Sequence, residues 1–322
     1  MRRLFLTMIT LTALVQTALL ADAGRIPIYQ PTTITQPGYY SLTRDISSSA
    51  SPVISIQADN VTLDLNGYSV SNSSASATLI RIVPPSTNVR IRNGWLSGGS
   101  LGIGYQDNSA LTRVLIESVD ILNSIFGIQI NPAEHVEVLS SRIIAAPGSN
   151  GNGIVVQGFF SGGTFQPWTG RFSDNTIVGV GGRGMDLDGL SGGAVRRNIV
   201  RNYGALAPGG GEGIFIFPGG GNFVEENEIS NGNAGIFIGS DGNVVAGNIV
   251  KNIFGTTPAP KPGIGVSGAR NLIERNQLEG NVGCGINFPF ALGNAYRNNM
   301  LRGNTGGAVC GAANTDAGGN LP

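Results

Sequence analysis

The stretch from Asn222 to Gly239 reads Asn-Phe-Val-Glu-Glu-Asn-Glu-Ile-Ser-Asn-Gly-Asn-Ala-Gly-Ile-Phe-Ile-Gly, and it recurs. Copies begin at Asn243, Asn271 and Asn294, each with a short apolar strand, an Asn five residues in, a second apolar pair and a strand opened by Gly. Fainter copies begin near Asn60, Asn88, Thr112, His135, Gly170 and Gly193. The steps from Asn222 to Asn243 and from Asn271 to Asn294 are 21 residues (243 − 222) and 23 residues (294 − 271). A unit this short leaves no room for a helix-containing repeat and suits three short strands joined by tight turns. One such unit cannot bury its apolar side alone, so the copies must stack.

Within a unit the apolar residues alternate. Val224, Ile229, Ile236 and Ile238 are expected inward, with Glu225, Glu228, Phe237 and Ser230 pointing elsewhere, which is the period of a strand. The position five residues in is Asn175, Asn198, Asn227, Asn248, Asn276 and Asn299 in six consecutive units. Stacked identical amides can hydrogen-bond along an axis. Asn also tolerates the left-handed backbone of a sharp corner, so these residues are expected to form one ladder at one corner.

These units resemble those of right-handed parallel β-helix proteins, the architecture of pectate lyases, polygalacturonases and NosD-type periplasmic proteins. The resemblance runs from about Asn60 to Val309. It implies an all-β, single-stranded right-handed solenoid of about ten rungs, and as a function the binding or processing of a polysaccharide along one face. The alternative is a non-catalytic structural or adhesive surface solenoid. If there is an activity, the resemblance implies a polysaccharide lyase or glycoside hydrolase. At the level of residues the chain departs from those families: it has no Gly-His-Gly and no adjacent Asp pair. Past Gly24 it keeps two Cys, one His (His135, expected at a corner) and the two methionines Met185 and Met300, too few soft ligands for a copper or zinc centre.

The 322 residues include 50 Gly, only 12% are charged, and the formal net charge is zero. That balance fits a turn-rich solenoid and argues against an electrostatic nucleic-acid binder. Residues 1–23 read as a secretory signal: Arg2 and Arg3, an apolar run from Leu4 to Leu20, then Ala21-Asp22-Ala23, with an uncleaved anchor as the competing reading. The expected product is therefore secreted or periplasmic, free of the membrane after cleavage, and a monomer. Residues 24–59 are expected to cap the N-terminal end, 60–310 to form the rungs and 311–322 a tail. Subtracting a 22-residue unit from Cys310 sets it over Phe288, four positions from Cys284. Four extended residues span roughly 13 Å, so two buried thiols are expected rather than a bond.

Candidate site residues lie on the Gly-led strands. The second and fourth positions after Gly should face out, giving Asp186 and Asp188, then Phe215 and Phe217, then Phe237 on successive rungs, with Gln157 one rung before. Two carboxylates at i and i+2 make a candidate for Ca²⁺ or for acid–base chemistry. Exposed Phe rings make a stacking platform for a polysaccharide or cell-surface glycan. Insertions at 158–170, 203–211 and 254–262 are expected to wall this groove, with Trp168 of the first contributing to it.

Overall fold

The computed structural model describes residues 24–83, 85–106, 112–161, 164–205, 211–255, 261–290 and 293–322. The signal-like residues 1–23, and the central parts of the second and third insertions (206–210 and 256–260), lie outside the described residues. The chain is an all-β, right-handed parallel solenoid of about ten turns. Each turn lays down three strands. One rung comprises Thr169–Ser173, Thr176–Val178 and Met185–Asp188, and the next comprises Ala194–Arg196, Ile199–Tyr203 and Glu212–Ile216. Strands pair in parallel with their counterparts one rung on, generating three faces. The third face is a 12-stranded sheet, while the first two join around a corner into one sheet of 21 strands.

The alternation read from sequence sets what lies inside. Val195, Val224, Val245 and Ile273 stack on the first face. Ile177, Val200, Ile229, Val250 and Leu278 stack on the second, and Leu187, Ile216, Ile238 and Val266 on the third. All thirteen side chains are fully buried. Each is a branched aliphatic above another, so apolar surface is removed from water continuously along the axis, at roughly 25 cal/mol per Å².

The six expected Asn form one axial ladder. Each donates its side-chain N–H to the Oδ1 of the next, from Asn175 to Asn299, over 2.9–3.0 Å, and Asn320 extends the ladder by one. The corner role is corrected. The left-handed residue is the one before each ladder Asn: Asp174, Arg197, Glu226, Gly247, Arg275 and Asn298 all have positive φ. Turning the chain there leaves the Asn itself free to aim its amide inward. Two further ladders run through Asn222, Asn243, Asn271, Asn294 and Asn314, and through Asn281 and Asn304.

Both ends differ from expectation. Arg25–Ile28 pairs in parallel with Gly38–Leu42, which pairs with Val61–Asp64, so residues expected as a cap already form rungs. At the other end, Thr315–Asp316 pairs with Ala295–Arg297, and Leu321 bridges to Met300. Cys284 and Cys310 form a disulfide, with Cα atoms 6.1 Å apart. The expected pair of buried thiols is thereby corrected for two reasons. Cys310 aligns with Asn287 rather than Phe288. Cys284 precedes the strand Ile286–Phe288, on the bend into it, so the intervening residues are not a straight strand. The bond closes a segment of 26 residues, for which loop entropy gives about 3 kcal/mol. Replacing both cysteines with Ser should lower unfolding free energy by about that amount. An equilibrium denaturation curve matching the parent's would show that the bond does not stabilise the fold.

Candidate functional site

Outward positions of the third face fall into two columns. One runs Val155, Asp186, Phe215, Phe237, Gly265 and Asn287; the other sets Gln157 beside Asp188. The structure therefore brings Asp186, Asp188, Phe215, Phe237 and Gln157 together in the expected register. Phe217 lies just beyond the strand Glu212–Ile216 and is 49% exposed. Its ring has space because residue 239 is Gly: a Cβ there would sit 2.4 Å from Phe217. Phe215 and Phe237 are half-buried and stack in parallel, with centroids 5.2 Å apart and planes 11° apart.

Arg183 and Glu212 control the electrostatics of the site. The guanidinium of Arg183 lies over Phe215, 3.6 Å from the ring centroid. It also pairs with Asp186 at 3.0 Å and with Glu212 at 2.7 Å. Asp186 is buried, and burial raises its carboxyl pKa against the opposing pull of Arg183. Asp188 has no arginine of its own. Burial first, and the neighbouring Asp186 charge second, push its carboxyl up to about 6. A polar relay holds it: Asn131 donates to Gln157 at 2.8 Å, and Gln157 donates to Asp188 at 3.4 Å. Asp188 is thus a carboxyl group that changes charge in mildly acidic water, beside an aromatic stack.

The calcium expectation for Asp186 and Asp188 is not supported by this donor set. Ca²⁺ takes six to eight oxygens, and one oxygen of Asp186 is already bonded by a cation that would repel another. Among the described residues, no group of three or more His, Cys, Asp or Glu is gathered to hold a metal.

Trp168 is corrected as a surface contact, being 1% exposed. Its indole N–H donates to the backbone carbonyl of Asp188 at 2.7 Å, and its edge meets Phe172, so it supports the site from beneath. The first insertion does form a wall. Phe159–Ser161 and Thr164–Gln166 make an antiparallel hairpin, and the Phe165 ring seats against Gly158 and Gly189 next to Asp188. Past Phe237 the groove deepens into a pocket of about 240 Å³ bordered by Glu212, Lys261, Pro262, Asn287 and Pro289. Glu212 and Lys261 were legible only as residues at the ends of insertions. His135 is not at a corner but on the strand Ala133–Leu139 of the first face, bonded to Thr169 and Glu137.

A family model described as a right handed beta helix region matches residues 126–305. Among solved structures, the catalytic unit of a thermostable GH87 alpha-1,3-glucanase from Streptomyces thermodiastaticus strain HF3-3 is similar, with a TM-score of 0.59 and 13% identity. The likeness covers 93% of this chain and 62% of that one, so this chain spans less than two thirds of the glucanase unit. The A-module of the Azotobacter vinelandii mannuronan C-5 epimerase AlgE6 is similar with a TM-score of 0.50 and 16% identity, over 98% of this chain and 95% of that one. No curated protein matches. At these identities the likeness is one of fold.

Proposed function

The chain belongs to the right-handed β-helix family, and on that footing we propose that it is an exported protein that binds a polysaccharide along its third face, with Asp188 exchanging a proton with the bound chain. The observation that carries this reading is Asp188, with its carboxyl near pKa 6, two residues along its strand from Asp186, whose column holds the Phe215–Phe237 stack, with the Phe217 ring open on the next rung. A sugar presents apolar C–H faces and hydroxyl edges, and aromatic rings beside carboxyl and amide groups complement both. A groove running along the axis also suits an extended polymer better than a compact ligand. The names of the two similar structures, a glucanase and a mannuronan epimerase, agree with that ligand class. The disulfide fits an exported protein, since such bonds persist in oxidising compartments.

The test is a panel of neutral and uronate polysaccharides, read by affinity electrophoresis and by release of reducing ends or unsaturated products. Phe217→Ala should weaken binding by about tenfold, which is ~1.4 kcal/mol for one lost stacking contact. Because Arg183 occupies the place a cation would need, EDTA should leave binding unchanged. A panel in which nothing binds would sink the reading. The ion pairing of Asp186 favours a second reading, a binding solenoid without chemistry, in which Phe217→Ala weakens binding and Asp188→Asn changes no product.

A further inference from the structure

The second face carries one large exposed ring in a built recess. Trp95 is 43% exposed. It aligns with Ser69 on one neighbouring rung and with Asp120 on the other. Its indole N–H donates to Asp120 Oδ2 at 3.2 Å, and Arg142 holds the same oxygen at 2.6 Å. The ring is therefore exposed yet fixed in orientation, which reduces the entropy lost when a ligand stacks on it.

The recess beside it has a local cause. The left-handed corner of these rungs is occupied by Asn93, Ser118 and Ser140, and on later rungs by Asp174, Arg197, Glu226, Gly247, Arg275 and Asn298. Three short side chains in succession leave the corner open beside Trp95, whereas the short Gly247 and Asn298 each sit next to a rung whose corner is charged. Gly94 forms part of the floor, and no other residue fits, because a Cβ would lie 2.4 Å from Leu65 and 2.6 Å from the Tyr68 carbonyl. The result is a pocket of about 280 Å³ with an indole wall and an otherwise polar or small lining, Asn93, Ser118, Asp120 and Ser140 among it. Later rungs set Thr176, Ile199, Glu228 and Ile249 in the Trp95 column, so no other described rung repeats the arrangement.

We propose that Trp95 and this recess form a second glycan-contact site, distinct from the third-face groove, that takes one pyranose ring with its apolar face on the indole and its hydroxyls toward Asn93, Ser118 and Asp120. Trp95 is three rungs from Asp188's rung, through Asp120, Arg142 and Thr176, roughly 14 Å along the axis, and on another face. One sugar residue cannot touch both. The site shares a ligand class with the groove but not its residues or its chemistry, so either can fail without the other.

The test uses the full chain and a panel of cellohexaose, laminarihexaose and a hexameric oligouronate. Oxidation by N-bromosuccinimide is mapped by peptide mass, with buried Trp168 as the internal control. At least one saccharide should slow Trp95 oxidation by about tenfold, corresponding to ~90% occupancy, and should do so equally in Asp188→Asn. Trp95→Ala should weaken retention of that saccharide in affinity electrophoresis without altering any products formed at the third face, and circular dichroism should show an intact solenoid. Failure of every saccharide to protect Trp95 overturns the site. So does protection that disappears in Asp188→Asn, since the indole would then be reporting on the third-face groove.

Discussion

Asn248→Leu should cost about 4 kcal/mol of unfolding free energy or more. Asn248 is fully buried and is used on both sides. Its Oδ1 accepts from the backbone N–H of Asn227 at 3.0 Å and from the Asn227 side chain at 2.9 Å. Its own amide donates to the Val224 carbonyl at 2.8 Å and to Asn276 at 3.0 Å. Leu is close to isosteric, so little cavity forms, but it can neither accept nor donate. The Asn227 N–H groups and the Val224 carbonyl are then stranded away from water, at about 1–3 kcal/mol each. Asn248→Asp should also destabilise, since it keeps the acceptor, loses the donor and places a charge where nothing solvates it. Equilibrium denaturation of both variants measures this. A Leu variant within about 1 kcal/mol of the parent would mean that the amide ladder follows the fold without stabilising it.

The ladder also shows why the fold was legible. Six Asn at one slot, and Val or Ile at fixed offsets, are a repeating signal, and in a solenoid whatever repeats in sequence is superposed in space. That logic placed the Val224 and Ile229 columns, and it placed Asp186 over Phe215 and Phe215 over Phe237. The same superposition sets flanking charges side by side, with Arg196 paired to Glu225 and Arg197 to Asp174 as surface pairs worth little each.

The misses lie where the chain leaves the repeat. Glu212 opens its strand just before Gly213, outside the alternating positions, and meets Arg183 only because adjacent rungs bring those two starts together. Trp168 looked like an insertion residue, yet its indole packs under Asp188, because a hairpin that folds back must bury something of its own. Cys284 sits on a bend, where counting along a straight strand overstates distance. Ser230 is outward in register between Arg201 and Lys251 but 2% exposed, which is what a short side chain between two long ones becomes.

Asp188→Asn should make the protein more stable above about pH 6 while sharply lowering any turnover, and the two effects share one cause. The carboxyl of Asp188 titrates near 6 in the fold, against 3.8 for an Asp side chain free of it. Between those values the folded state holds a proton that the unfolded chain releases, so stability falls as pH rises through that window and stays lower above it. A gap of this size corresponds to about 3 kcal/mol at most. Asp188 is only half-buried, and solvent screening reduces the expected gain of the Asn variant to about 1–2 kcal/mol near neutral pH, with none below about pH 4. The protonated carboxyl is also the form that can donate to a departing sugar oxygen, so turnover should fall above about pH 6 in the parent. Losing a general acid should lower turnover by about 10²- to 10⁴-fold. Denaturation at acidic and neutral pH, with rates on a polysaccharide that binds, separates the outcomes. Equal stability of parent and variant across that range would show that Asp188 is not held protonated. Unchanged rates beside a confirmed stability gain would show that its proton plays no part in the chemistry.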